Sequence, residues 1–262
     1  MKKVFFVIVI LIFCLFLYAK YISPSELEIK EYSIESTKLP EGFDGMKIVH
    51  FSDVLYQNEQ DLEMLKKIVK KINNQKPDII VYTGDFLGKK INDKTKDKLI
   101  SELSKLNADY KYAITGDKDK KGTSDIFTYS GFTYLNNASE YIFNNDTEPI
   151  LIAGGNDLSE ESLLYDEDIE YHFIISLIHK PDDFDKLDYK STLVLAGHSL
   201  GGQIRVPFWG ALIRENGAKK YTNDYYKENS SSLYISYGIG LGKLNLRLFD
   251  KPSFNVYRLY TK

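Results

Sequence analysis

The sequence contains a single cysteine, Cys14, in 262 residues. Because this cysteine lies in the apolar N-terminal segment, the rest of the chain has no thiol to oxidise and cannot rely on disulfides. An excess of basic residues is also missing, since the formal net charge is −3 at pH 7. Without a basic stripe we do not expect nucleic acid as a partner. No internal repeat or low-complexity segment interrupts the chain.

Charge is nearly absent from the first 22 residues, which predicts a membrane anchor. An uncharged run from Val4 to Ala19 lies between Lys2 and Lys3 on one side and Lys20 on the other. At about 1.5 Å per residue this run is slightly short for a hydrocarbon core of about 30 Å, and flanking lysines can snorkel to bridge the difference.

A cleaved signal peptide is the alternative explanation for this segment. The sequence has no Ala-x-Ala cleavage site, and Phe13 before Cys14 is incompatible with a lipoprotein signal. These features favour an uncleaved anchor over residues 1–22. Lysines at the N-terminus predict a single-pass protein of the cell membrane with an extracytoplasmic domain over residues 23–262.

Histidine is scarce, and this scarcity excludes one interpretation of the segment Gly197–Gly201. The segment fits G-x-S-x-G, the motif that presents the nucleophile of α/β-hydrolases, with Ser199 as nucleophile. Such an enzyme places its base histidine after the serine, yet the last of the four histidines is His198. A helix should also follow the serine, but the next residues alternate β-branched side chains with Pro207 and glycine. The catalytic triad therefore cannot form.

Five short apolar runs each end at a residue that could ligate a metal. The runs are Ile48–Phe51, Ile79–Tyr82, Tyr112–Ile114, Phe173–Ile178 and Leu193–Ala196, and the residues that follow them are Asp53, Asp85, Asp117, His179 and His198. Short apolar runs are typical of strands buried on both faces, and the carboxyl ends of parallel strands meet at one edge of a sheet. We therefore expect these five side chains to gather.

Helical spacing follows two of these runs, so the pattern favours an α/β fold. Apolar residues recur at helical intervals in two sets, Leu62, Leu65, Ile68, Val69 and Ile72, then Leu99, Ile100, Leu103 and Leu106. From about residue 191 strands dominate, and residues 233–260 predict a meander. Residues 23–262 suffice for one large domain with a two-sheet core.

The series of motifs resembles the calcineurin-like metallophosphoesterases, specifically their membrane-anchored bacterial branch. That family's pattern runs D-x-H, G-D, G-N-H-[DE], a lone H and G-H-x-H, and it binds two metal ions that activate water against a phosphate ester. The likeness covers nearly all of the chain beyond the N-terminal segment, including Leu39–Asp53, His179–Asp182 and Tyr237–Gly240, with Arg247 and Pro252. It implies a four-layer αββα sandwich.

The resemblance implies that one of the family's two metal sites is lost. In the family this site combines the Asp and His of D-x-H, the Asp of G-D and the final His of G-H-x-H. Asp53 and Asp85 occupy the two aspartate positions here, but the histidine positions are Leu55 and Leu200. Leucine cannot ligate a metal, so this half of a dinuclear centre is not expected to form.

The resemblance implies that the other site is chemically complete. Its ligands would be Asp85, Asp117, His179 and His198, with Asp117 replacing the family's asparagine. A carboxylate oxygen ligates at least as well as an amide oxygen. We therefore expect at most one divalent ion, Mn, Fe or Zn.

Lys118 stands where the family has the histidine that contacts the substrate phosphate and assists the leaving group. A lysine there is a poor proton donor unless its pKa is strongly lowered. Three carboxylates balanced by one divalent ion and Lys118 would leave the pocket neutral, so we infer that the ammonium replaces the missing cation. Asp119 is expected to support the site without ligating, and His50 and His172 to be packed core residues.

Two hypotheses about function follow. The first is a membrane-anchored metallophosphoesterase-fold protein whose phosphoester hydrolysis is impaired or lost, and which binds or scaffolds at the cell surface. The second is an active mononuclear phosphohydrolase that acts on a phospholipid or an envelope precursor. Loss of one metal site and of the phosphate-contacting histidine favours the first, while the intact ligand set favours the second.

Overall fold

Two six-stranded sheets lie face to face in the structure, a computed structural model that describes residues 1–144, 148–156, 158, 173–187 and 191–262. The first sheet contains, in spatial order, β1 (Glu28–Ser36), β14 (Ser253–Thr261), β2 (Lys47–Phe51), β3 (Ile79–Thr83), β4 (Tyr110–Ile114) and β5 (Thr133–Tyr134). The second contains β12 (Tyr225–Glu228), β13 (Ser231–Ile235), β9 (Leu193–Ala196), β8 (Ile174–Ile178), β7 (Ile150–Gly154) and β6 (Ala138–Ile142). A two-stranded ribbon, β10 (Arg205–Val206) with β11 (Gly210–Ala211), stands apart from both.

The central strands are parallel within each sheet. In the first sheet β2, β3 and β4 run parallel, and in the second β7, β8, β9 and β13 do so. Each of these strands is buried almost throughout, which is why the sequence reads as continuous apolar runs. Their carboxyl ends form the rim that carries the candidate site.

Apolar side chains fill three layers of core, and this layering confirms the predicted α/β sandwich. One core lies between the two sheets and includes Ile48, Val81, Ile175 and Leu195. A second packs the outer face of the first sheet against helices, and a third covers the outer face of the second sheet. Alternate residues of each strand supply the two faces, as the pleat requires.

Three helices follow strands of the first sheet: α2 (Glu59–Gln75), α3 (Asp93–Leu103) and α4 (Thr123–Tyr129). Asn58 begins α2 with a capping box, because its side chain accepts from the Asp61 amide while Asp61 accepts from the Asn58 amide. The buried residues of α2 are the five whose spacing predicted the helix. In α3 the predicted positions Leu99 and Leu103 are buried, and Leu106 lies beyond the end of the helix.

The predicted meander over residues 233–260 is wrong. β13 belongs to the second sheet and β14 to the first, so residues 236–252 cross from one sheet to the other. The crossing is held from inside by the buried Arg247, whose guanidinium donates to the carbonyl oxygens of Tyr237, Gly238 and Gly240. One side chain thus supplies hydrogen-bond donors to three backbone carbonyls of this crossing.

Helix α1 (Lys2–Leu17) begins the chain, and helical turns continue it to Ser25. None of the side chains of α1 is buried by the described part of the domain. The segment Lys2–Ser25 is long and apolar enough to cross a membrane, the one such helix among the described residues.

Candidate metal centre

The predicted site residues lie where the parallel strands end. Asp53 follows β2, Asp85 follows β3 and Asp117 follows β4 in the first sheet. His179 and His198 follow β8 and β9 in the second. The site is therefore built where the rims of the two sheets meet.

Three of these residues form a compact group that could hold a metal ion. One ligand atom from each of Asp85, His179 and His198 lies within 4.8 Å of the others, and all three residues are buried. His179 Nε2 lies 3.4 Å from Asp85 Oδ1 and 3.1 Å from His198 Nδ1. Two imidazoles and a carboxylate are donors that divalent transition metals accept.

Backbone carbonyls orient both imidazole rings. His179 Nδ1 lies 2.8 Å from the Thr83 carbonyl oxygen, and His198 Nε2 lies 2.9 Å from that of Asn216. Each carbonyl can only accept, so it fixes a proton on the outer ring nitrogen and turns the other nitrogen towards Asp85. This arrangement fits a single metal ion.

The lack of a side chain at Gly116 makes room for Asp85 and His179. A Cβ atom at this position would lie 2.4 Å from Asp85 Oδ1 and 2.6 Å from His179 Nε2. Any side chain would therefore displace the ligand atoms, which explains a glycine two residues after β4.

Two groups that can carry positive charge, Lys118 and His179, lie next to the Asp85 carboxylate. Lys118 Nζ lies 3.2 Å from Asp85 Oδ2, and the Lys118 amide donates to Asp85 Oδ1. Burial opposes ionisation of Asp85, but the hydrogen bond and charge of His179, with Lys118, hold the pKa of this carboxyl below its usual range. Burial likewise opposes protonation of His179, yet Asp85 raises the pKa of this imidazole to about 9. A bound metal ion would replace the proton on His179.

Asp117 does not join this group. Its carboxylate is exposed and forms an ion pair with Lys180, with Nζ 2.8 Å from Oδ2. Lys180 follows His179 directly, so the pair lies beside the site rather than within it.

Asp119 instead organises the backbone behind Asp85. Its carboxylate accepts hydrogen bonds from the amides of Asp85, Phe86, Leu87 and Gly116 at 2.8 to 3.2 Å. These four hydrogen bonds connect the loop after β3 to the loop after β4. They also occupy the lone pairs of the Asp119 carboxylate.

The half of the site around Asp53 is apolar. Leu55 and Leu200 are buried, and both pack against the glycine-rich loop after β13. Asp53 Oδ2 accepts from the His198 amide at 2.9 Å, whereas buried Asp53 Oδ1 has no hydrogen-bond partner in the part of the chain that the structure describes. Neither Leu55 nor Leu200 offers a donor for a second ion beside Asp53.

The backbone at these positions is left-handed although none of them is glycine. Positive φ angles occur at Asp53, Leu55, Asp85, His198 and Leu200, between 48° and 65°. A leucine in this conformation is strained by roughly 1 kcal/mol, and histidine or aspartate adopts it more readily. Both leucines thus occupy a backbone shaped for other residue types.

The Ser199 side chain stabilises the turn after β9. Its hydroxyl oxygen accepts from the Gly201 amide at 3.1 Å, and a single 3-10 turn over Leu200–Gly202 follows in place of an α-helix. This geometry agrees with the exclusion of a serine nucleophile.

His50 is a buried, hydrogen-bonded residue of β2 and not part of the group. Its Nε2 lies 2.8 Å from Thr83 Oγ1 and its Nδ1 lies 3.2 Å from the Tyr257 hydroxyl. Burial lowers the pKa of this imidazole to about 3. His172, predicted to be similar, falls outside the described residues.

The buried His50 predicts a loss of stability in acid. Below an ordinary histidine pKa of about 6.5 the unfolded chain takes up a proton that the folded chain refuses, so stability falls as pH drops towards 3. At about 1.4 kcal/mol per pH unit, His50 should account for about 2 kcal/mol between pH 6.5 and pH 5. Chemical unfolding of the wild type and His50→Gln across this range measures the difference. Parallel pH profiles of the two proteins would contradict it.

Sequence reasoning did not identify several residues that shape the site. The carbonyls of Thr83 and Asn216 and the Lys180 side chain act through tertiary contacts that no local motif signals. Gly116 lay within a recognised motif, but its role follows only from the position of His179.

The sequence from residue 46 to residue 209 matches a protein family described as calcineurin-like phosphoesterase. This match spans more than half of the chain. The chain belongs to the calcineurin-like phosphoesterase family. Divalent metals are used throughout this family, and Asp85, His179 and His198 form one possible site for such a metal here.

Relatives of the chain include bacterial metallophosphoesterases and one protein described as transmembrane. The chain is 36% identical to the uncharacterized metallophosphoesterase YkuE of Bacillus subtilis, over 92% of this chain and 88% of the relative. It is 21% identical to the UDP-2,3-diacylglucosamine pyrophosphatase LpxG of Chlamydia muridarum, over 92% of each. A transmembrane protein with metallophosphoesterase domain from Danio rerio is 27% identical over 68% of this chain and 45% of the relative.

Proposed function

We propose that this protein is a membrane-anchored member of the family that binds at most one divalent ion and hydrolyses phosphate esters poorly or not at all. The observation that carries the proposal is the pair of buried leucines, Leu55 and Leu200, beside Asp53. Without imidazoles there a second ion has too few ligands. The site then lacks the excess positive charge that attracts a phosphate ester and stabilises its transition state.

A single ion would be held by Asp85, His179 and His198. Asp117, whose Oδ2 atom pairs with Lys180 Nζ at 2.8 Å, lies outside this group. When bound, such an ion would polarise a phosphoryl oxygen or lower the pKa of a water molecule. Lys118 supplies a positive charge next to Asp85, and its pKa is raised because the carboxylates of Asp85 and Asp53 outweigh the effect of burial. Lys118 is therefore better suited to balancing the negative charge of the carboxylates than to donating a proton.

Metal stoichiometry tests the proposal. The full chain is purified in detergent, incubated with Mn, Fe or Zn, desalted and measured by elemental mass spectrometry. We expect one ion per chain in the wild type and none in Asp85→Asn, which removes a charged ligand. Asp185→Asn is the matched control, because that carboxylate pairs with Lys220 at the surface and should not affect the ion. Two ions per chain would contradict the proposal, and none would favour a role in binding without metal.

A second candidate is an active mononuclear phosphohydrolase for a phospholipid or envelope precursor. A cavity of about 460 Å³ favours it, because its lining includes Lys20, Tyr21 and Pro24 beyond α1 as well as Val54, Ile239 and Gly240, which follow or contact the segment at Asp53. A lipid leaving the bilayer would meet this cavity on its way to the site. LpxG, by its name, acts on UDP-2,3-diacylglucosamine, a diacylated pyrophosphate.

Activity separates the two candidates. The metal-loaded chain in lipid vesicles is given a phospholipid or UDP-2,3-diacylglucosamine, and the release of phosphorylated product is followed. Cleavage that disappears in Asp85→Asn would favour the second candidate over the first. Absence of cleavage together with one bound ion would favour the first.

We further propose that the domain lies on the extracytoplasmic side of the cell membrane. Lys2 and Lys3 precede the apolar run of α1, and a basic N-terminal flank favours a cytoplasmic N-terminus. Residues 1–22 then act as the anchor and residues 23–262 as the domain.

A further inference from the structure

An exposed aromatic patch lies at the tip of the two-stranded ribbon. Among the described residues that follow Ser25, seven large apolar side chains are exposed, and four of them belong to the ribbon or its neighbours: Phe208, Trp209, Leu212 and Phe249. Phe208 is fully exposed and Trp209 is 83% exposed. Side chains of this size are rarely presented to water together without a partner.

The patch is connected to the end of the N-terminal helix through one short segment. The Arg247 amide donates to the Ala19 carbonyl oxygen at 2.9 Å. The next residue, Leu248, donates to the Gln203 carbonyl oxygen and accepts from the Arg205 amide at the base of the ribbon. At about 3.3 Å per residue the tip of the ribbon lies roughly 10 Å beyond this point.

The chemistry of the ribbon matches a bilayer interface. Residues 206–213 contain no charge, and they combine proline, two aromatic rings and aliphatic side chains. Phenylalanine and tryptophan are favoured at the depth of the lipid headgroups and just below it. Lys20, at the end of the N-terminal helix, and Arg214, directly after the uncharged run, are exposed and can meet lipid phosphates.

We propose that this patch, Phe208, Trp209, Leu212 and Phe249, inserts into the membrane interface as a second contact beside the helix. Two contacts fix the orientation of the domain where a single helix would leave it free to rotate. The same segment also reaches the site, because Arg247 donates to the Gly240 carbonyl and the Gly240 amide donates to the Asp53 carbonyl. The rim that carries Asp53 is therefore held close to the bilayer surface. This inference depends on the N-terminal helix crossing the membrane and not on metal or catalysis.

Trp209 provides a direct test because it is the only tryptophan in the chain. The full chain is reconstituted in vesicles of phosphatidylcholine and phosphatidylglycerol whose acyl chains are either plain or dibrominated. We expect Trp209 emission to lose most of its intensity in the brominated vesicles and to be shielded from acrylamide. Phe208→Ser with Phe249→Ser, which keeps Trp209, should weaken the quenching by brominated lipid.

A matched control places the single tryptophan elsewhere on the domain. Trp209→Phe with Tyr129→Trp moves it to the end of α4, near the start of β4 and away from the rim. That tryptophan should stay accessible to acrylamide and unquenched by brominated lipid. Trp209 accessible to acrylamide would overturn the proposal, and so would Trp209 shielded from both quenchers, since a protein surface would then cover the patch. Failure of the chain to float with the vesicles would also overturn it.

Discussion

Replacing Leu55 and Leu200 by histidine should restore a second metal ion and raise phosphodiester hydrolysis. Leu55 follows Asp53 by two residues, and Leu200 and Asp53 both lie close to Gly238. Among the described residues no hydrogen-bond partner occupies the buried Asp53 Oδ1 atom, so this oxygen is available as a ligand. The backbone already has positive φ at both positions, 51° and 48°, and histidine adopts this conformation more readily than leucine. Two new imidazoles with Asp53 and Asp85 would complete a dinuclear set of ligands.

The expected size of this effect is large. A second ion that stabilises charge in the transition state contributes several kcal/mol, so hydrolysis of bis(p-nitrophenyl) phosphate should rise by about two orders of magnitude. Adding Lys118→His would supply a proton donor with a pKa near neutrality and should add a further factor of about 10². Elemental mass spectrometry counts the ions, and a chromogenic assay measures the rate.

Leu55→Gln with Leu200→Gln serves as the matched control. These side chains introduce polarity of similar size but are poor ligands for transition metals, so neither the ion count nor the rate should change. A histidine variant that binds two ions without gaining activity would show that the leucines are not what limits hydrolysis. One that gains activity without a second ion would contradict the assignment of Leu55 and Leu200 to the lost site.

The fold was largely predictable from the order of apolar runs. Strands β2, β3, β4, β8 and β9 coincide with the five runs, because strands buried on both faces need unbroken apolar sequence. The positions of Asp85, His179 and His198 follow from parallel pairing, which brings the ends of different strands to one rim. Local sequence was sufficient wherever burial alone determined the structure.

What the sequence could not provide depends on partners far away in the chain. Asp117 follows β4 as expected, but its carboxylate is exposed and pairs with Lys180, a choice that burial does not dictate. Residues 233–260 alternate like a meander, yet β14 pairs with β1 and β2 because the chain crosses between sheets. The apolar pattern does not distinguish a meander from a strand that joins the other sheet. The buried Arg247, which stabilises the crossing, makes the difference.

Removing the Arg247 side chain should cause the largest loss of stability in the domain. This guanidinium is fully buried, donates to three carbonyl oxygens of the crossing and lies 3.2 Å from Asp250 Oδ2. In Arg247→Met the Asp250 carboxylate stays buried without its counter-charge, and the carbonyls lose their donor. Breaking a buried pair in this way costs about 3–5 kcal/mol, which corresponds to a fall of roughly 10 °C in Tm for a domain of this size.

The double variant Arg247→Met with Asp250→Leu distinguishes an uncompensated buried charge from the loss of the hydrogen bonds to the carbonyls. If the uncompensated carboxylate causes most of the loss, removing it as well should recover a large part of the Tm, because apolar replacements of a buried pair are often close to neutral. Thermal unfolding of the wild type and both variants in the same detergent, followed by circular dichroism, gives the three values. A double variant as unstable as Arg247→Met would assign the loss to the carbonyl hydrogen bonds instead. The crossing would then depend on the hydrogen bonds that the guanidinium donates. The loop that packs Gly238 and Gly240 against Asp53 and Leu55 would depend on them too.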